Sequence, residues 1–273
     1  GHIAGAAVER ETLETTNHRV RYDGALPMCG VMGDTELFNT FAGMQLAAQA
    51  LAGVPAYPRE RWPEISALVT STLFNSTSVT SLVSANVPVA GQQFMSVVKH
   101  LTGGERPLVA EGFRFGGSFA FPWGALGGDG SINGILNRSV LDTRSIVYRI
   151  DGDTAATDNL NARVLRDTPA ADANRLRRDG LRWIPQINGQ IGVPVLSIHT
   201  LGDLFVPFSM QQVYKRRVDA QGNGTRLVQR AIRGVSHCDF TLAEQAVAFD
   251  DLVNWVENGV TPAGDEVLTP TTV

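Results

Sequence analysis

The apolar positions change period along this chain, and the changes divide it. Val193-Pro194-Val195-Leu196-Ser197-Ile198-His199-Thr200 is a nearly continuous apolar, β-branched run, short enough to be a strand buried on both faces. Phe208 to Ala220 follows at helical spacing, then a turn at Gln221-Gly222-Asn223-Gly224 and a second strand from Arg226 to Ile232. Leu242 to Asn258, carrying Trp255, closes the series as an amphipathic helix. Val20 to Val31 reads as the approach to, and exit from, a further strand.

The alternation of strand and helix does not hold from Thr35 to about Pro185. Leu37 to Ala52 is apolar at helical spacing and is stopped by Gly53-Val54-Pro55. Further helices are predicted over Glu64 to Phe74, Gly91 to Thr102 and Pro169 to Trp183, the last with Thr168 as N-cap and Pro169 at its first position. The Gly/aromatic stretch between them holds Phe113, Phe115, Phe119, Phe121 and Trp123. These line an acyl or aromatic pocket or form the segment's own core, the commoner outcome. After Gly259 no apolar period remains, and the tail is expected to fray.

Candidate chemistry gathers at the ends of the two predicted strands. Asp203 follows Leu201-Gly202 where a buried parallel strand delivers its C-terminal end, the usual place for a ligand crevice in an open α/β sheet. His237, in Gly234-Val235-Ser236-His237-Cys238, leaves the second strand at the same edge. A lone His beside a Cys is usually structural, so the order of elements carries this reading. His199 reads as a half-buried strand residue. His2, His18, His100 and His199 lack H-x-x-x-H spacing, so no zinc site is expected. Asp151-Gly152-Asp153-Thr154 opens like a calcium loop, but Ala156 and Ala162 stand where Gly and Glu are needed. Gly127-Gly128-Asp129-Gly130 follows no strand and reads as a turn. No cofactor or metal is expected.

Composition narrows the partners. With 273 residues, 18% charged and a net charge of −4, the chain has no basic footprint for nucleic acid and no polybasic membrane patch. No run reaches the ~18 apolar residues of a membrane-spanning helix. Cys29 and Cys238 form one disulfide or stay as two thiols.

Strand, Asp, helix, strand, His, helix resembles the C-terminal portion of the α/β-hydrolases. The likeness rests on Thr200-Leu201-Gly202-Asp203-Leu204-Phe205-Val206-Pro207, on Gly234-Val235-Ser236-His237-Cys238 and on the closing helix. It implies a parallel α/β sheet with a helical lid: core at 1–34, lid insertion at 35–185, core at 186–260 and a flexible tail at 261–273. It also implies Asp203 and His237 as acid and base of a Ser-His-Asp triad, with Asp34 as a weaker rival for the acid. A His followed by Cys is similar to the secreted esterase branches, where that Cys is usually disulfide-bonded; this favours pairing with Cys29 and a secreted location.

Gly1 to Glu11, with its small residues Ala4, Gly5 and Ala7, looks like the helix after the nucleophile elbow. The elbow motif G-x-S-x-G occurs nowhere in the chain, and Ser118 and Ser131 lack its strand and helix flanks. The resemblance therefore places the Ser two or three positions before residue 1, on an N-terminal segment or partner chain, unless Gly1-His2 is a cloning remnant. The implied reaction is acyl transfer from a small carboxylic ester. A peptidase or amidase of the same fold, or a non-catalytic binding module, is the alternative.

Overall fold

The computed structural model describes residues 1–15, 20–54, 61–79, 86–114, 117–128, 138–174 and 184–269. In chain order its elements are α1 (His2–Ala7), α2 (Arg10–Thr15), α3 (Glu36–Leu51), α4 (Trp62–Phe74), α5 (Val89–Leu101), α6 (Ala120–Ala125), α7 (Thr154–Arg163), β1 (Val195–Thr200), α8 (Ser209–Ala220), β2 (Leu227–Ile232) and α9 (Leu242–Asn258). They fall into two compact units, one of residues 1–34, 105–112 and 185–273, the other of residues 35–104 and 113–184. Residues 105–112 lie inside the span read as an insertion, yet they cluster with the first unit.

In the first unit β1 and β2 pair in parallel, from Val195↔Leu227 to Thr200↔Ile232. All six residues of β1 are buried, as its unbroken apolar run requires. Successive side chains serve opposite faces. Val195 joins Ala6 of α1, Tyr214 and Val218 of α8 and the loop residue Met32, whereas Leu196 and Ile198 join Ala248, Leu252 and Trp255 of α9. Each buried aliphatic side chain contributes about 1.5–3 kcal/mol. Beyond β1, Ala25 and Met28 make parallel bridges to Val195 and Ile198. Pro27 gives its carbonyl to Ile198 N–H at 3.0 Å while lacking a donor of its own, which suits a sheet edge. Gly5 matters for packing, since a Cβ there would come within 2.4 Å of Met32 Cε.

The loops after the strands continue the pairing. Leu201 N–H donates to Ile232 O and Gly202 N–H to Gly234 O, both at 2.9 Å. Within the tail that was expected to fray after Gly259, Asp265 and Val267 are instead held, Asp265 along the edge of β2. Asp265 N–H donates to Gln229 O, the Asp265 carboxylate accepts from Ala231 N–H, and Val267 is buried against Leu201 and Phe208. Edge hydrogen bonding needs no side-chain period, so the sequence pattern carried no sign of it.

The second unit is helical and aromatic. Trp123 lies edge-on to Trp62 at 5.1 Å and to Phe94 at 5.6 Å, and tilted to Phe74 at 5.1 Å and Phe119 at 5.9 Å. Phe113 joins through Phe119 at 4.7 Å. These rings are core rather than pocket lining; Phe121 is exposed, and Phe115 lies outside the described residues. Tyr148, Leu160, Leu46, Ala47 and Val97 form a second cluster. The helix expected from Pro169 is absent over 169–174, and 175–183 lie outside the described residues. Here the backbone pairs elsewhere: Ala170 N–H donates to Ser139 O, and Thr143 N–H to Asp167 O. Asp153 caps α7 by accepting from Ala156 N–H, and Asp151 pairs with Lys99 and His100. Both acids of the calcium-like sequence thus have structural partners.

Candidate functional site

Parallel pairing delivers the chain ends of β1 and β2 to one edge, and Asp203 and His237 meet there. His237 Nδ1 lies 2.7 Å from Asp203 Oδ2. Asp203 is fully buried, while the His237 side chain keeps 27% of its surface exposed. Asp203 Oδ1 accepts from the N–H groups of Phe205 at 2.9 Å and Val206 at 3.1 Å, which sets the carboxylate's orientation. A carboxylate only accepts, so Nδ1 carries the imidazole proton and Nε2 keeps its lone pair. Phe205 stands edge-on to the imidazole at 5.3 Å. The His237 loop is held by Thr200 Oγ1 donating to Ser236 O at 2.8 Å, and by Asp239 Oδ2 accepting from Val235 N–H at 3.1 Å.

Two buried groups stand behind Asp203. His199, expected to be half-buried, is fully buried with Nε2 3.6 Å from Asp203 Oδ2. Its Nε2 donates to Val206 O at 2.7 Å, which leaves Nδ1 to accept from Gln211 Nε2 at 3.2 Å. Burial pulls the His199 pKa down, and the Asp203 charge followed by the Val206 hydrogen bond opposes the pull. This network runs on through Gln211, which accepts from Ser197 Oγ and Gln229 Nε2. Arg106, only 3% exposed, donates through Nε to Leu201 O at 2.7 Å. Burial lowers its pKa to about 10 against the charges of Asp203 and Glu105. Nothing local in Gly103-Gly104-Glu105-Arg106-Pro107 pointed to this position; the long apolar run around His199 was the signal that it is buried.

Asp34, the rival acid, is committed elsewhere. It accepts from Arg217 at 2.6 Å and from Ile187 N–H at 3.0 Å. Cys29 and Cys238 are joined in a disulfide. Cys238 Sγ stands 3.4 Å from His237 Nε2 and, bonded to Cys29, has no proton to donate. The start of α1 lies beside the same bridge: a Cβ on Gly1 would fall 2.5 Å from Met28 O and 2.3 Å from Gly30 Cα. Ser118 is buried in the second unit, and Ser131 lies outside the described residues.

A partly exposed imidazole backed by a buried carboxylate can take up and return a proton. No protein-family model matches the chain, and no solved structure matches it significantly. Among curated proteins, an o-phthalyl amidase of Xanthobacter agilis is 27% identical over 115 residues, which is 41% of this chain and 25% of the relative. The chain therefore spans about a quarter of that relative's length, a distant likeness that hints at a hydrolase.

Proposed function

We propose that the chain supplies the base and the orienting acid of a serine hydrolase of the α/β-hydrolase type, acting on a small carboxylic ester or amide. The observation that carries this reading is the 2.7 Å Nδ1 to Oδ2 hydrogen bond, which directs the Nε2 lone pair away from the buried carboxylate. In the proposed reaction Nε2 of His237 removes the proton of a serine hydroxyl as that oxygen attacks the acyl carbon. The resulting imidazolium then protonates the leaving group. Asp203 holds the tautomer and stabilises the imidazolium without itself taking the proton. In the second half-reaction His237 activates water to release the acid from the acyl-enzyme.

The serine is proposed to precede Gly1 or to belong to a companion chain. The close approach of Gly1 to Gly30, next to the bridge that anchors Cys238, supports this by bringing the start of α1 near His237. The amide option draws on the amidase likeness. The disulfide is compatible with a secreted protein, which we include in the proposal.

The test is fluorophosphonate labelling of the natural protein containing these residues, followed by peptide mapping. A labelled serine upstream of Gly1 or on a companion chain, with labelling lost in His237→Asn, is the expected result. No labelled serine, or labelling indifferent to His237→Asn, would sink the proposal and leave a hydrolase-like binding module.

A further inference from the structure

Cys29, His237 and Cys238 bring two sulfurs and one imidazole nitrogen within 4.8 Å of one another. While the sulfurs are bonded to each other they have no lone charge to offer a cation. Two-electron reduction changes that, because the S–S bond is replaced by two thiols that ionise on meeting a metal. We propose that the reduced protein holds a thiophilic divalent cation of the zinc class on Cys29 Sγ, Cys238 Sγ and His237 Nε2, with water at a fourth position.

Three observations support a site that survives loss of the bridge. The first is that each cysteine is placed by hydrogen bonds of its own. Cys29 N–H donates to Ile198 O at 2.9 Å. On the other side, Gly202 N–H to Gly234 O, Thr200 Oγ1 to Ser236 O, and Phe240 N–H to Cys238 O hold the His237 loop against the end of β1. Both cysteines also have left-handed backbones, φ 44° and 56°. That conformation is unfavourable for a non-glycine residue and persists where the surroundings over-determine it.

The second observation is spacing. With metal–sulfur bonds of about 2.3 Å and metal–nitrogen bonds of about 2.0–2.1 Å, neighbouring ligands on a tetrahedral ion stand about 3.6 Å apart for S and N and about 3.8 Å for two sulfurs. His237 Nε2 and Cys238 Sγ are already 3.4 Å apart. The two sulfurs must move apart, as they do once the bond between them is gone. The third is the outer partner of the imidazole. Metal-bound histidines usually give their second N–H to a carboxylate, and Asp203 already takes it at 2.7 Å. The Nε2 lone pair is thus set for a metal by the same bond that sets it for a proton. Exposure of Cys238 and part of His237 leaves room for entry and for the water ligand.

Occupation would take away the lone pair that the proposed hydrolysis needs, so a reduced, metal-bound protein would be inactive; this consequence rests on that reading, but the site does not. The test is a titration of the chain with Co(II) after reduction by a water-soluble phosphine. The phosphine becomes its oxide with oxygen from water, each sulfur gains a proton, and metal binding then releases two protons from the thiols. Far-ultraviolet circular dichroism is recorded in parallel. The expected result is a folded reduced protein that binds one Co(II), with thiolate charge-transfer absorption and tetrahedral ligand-field bands. The oxidised protein should show neither. Asp203→Asn should weaken binding about 10–100-fold, and His237→Asn should lose the one-to-one site while keeping both thiols. No stoichiometric binding by the folded reduced chain, binding unchanged in His237→Asn, or unfolding on reduction would each overturn the proposal. None of these readouts depends on a serine nucleophile.

Discussion

The sheet unit and the helical unit bury different chemistry. Among the described residues, the buried acidic and basic side chains Glu9, Asp34, Arg106, His199 and Asp203 all belong to the sheet unit. The helical unit's buried polar groups, such as Asn39, Gln45 and Thr70, are uncharged, and its centre is a set of edge-on and tilted rings. Burying charge costs free energy that apolar packing of the same volume does not. The helical unit therefore reads as a region shaped by packing. The sheet unit carries a cost that an orienting role at Asp203 would explain.

Asp203→Asn should separate the two most sharply. Under the proposed function it loses the acceptor that fixes the His237 tautomer, and turnover of an aryl ester by the natural protein should fall by about 10⁴. Thermal unfolding of the helical unit should be unaffected. Conversely, Trp123→Ala should cost about 3–5 kcal/mol of stability in urea, because it empties the ring cluster and leaves Thr70 without the indole donor at 3.2 Å. It should leave the imidazole proton resonances of His237 unchanged, and a shift in them would break the comparison.

Acid should act on the sheet unit through His199. Its pKa is lowered from the ordinary 6.5 by burial, so below about pH 6.5 the unfolded chain binds a proton that the folded chain refuses. Stability then falls as pH falls through that range, by at most about 1.4 kcal/mol per pH unit for this one proton. Glu9 runs the other way, since burial raises its carboxyl above 4.5 and its contribution is lost as pH rises. Urea midpoints from pH 7 to 5 should therefore decline less steeply in His199→Gln than in the parent. An identical slope would remove His199 from the account. Asp151→Asn should have the smallest effect. It breaks the pairs with Lys99 and His100, but Asp151 is half exposed, so the loss should be under about 1 kcal/mol and should shrink in salt.

Much of the sheet unit was legible in the chain. The runs at Val193 to Thr200 and Arg226 to Ile232, and the helical patterns at Phe208 and Leu242, predicted β1, β2, α8 and α9 to within about two residues, because a buried strand and an amphipathic helix each leave a periodic imprint. Thr241 and Glu244 form the capping box that starts α9. Asp203 and His237 were singled out by their position after strands. Their local sequence alone would have left a structural His and an ordinary loop acid.

What the sequence by itself determined was therefore whatever repeats along the chain or sits at a fixed offset from a strand end: element type, approximate bounds and the two loops bearing Asp203 and His237. Tertiary structure alone decided the 2.7 Å contact between them, the disulfide between Cys29 and Cys238, Arg106 and His199 behind the carboxylate, Asp265 on the edge of β2 and Val267 against Leu201 and Phe208. It also left residues 169–174 non-helical, with Ala170 N–H donating to Ser139 O. The physical reason is common to all of these. Each depends on how loops and side chains pack in space, mainly against partners distant in the chain, and such contacts leave no period in the sequence.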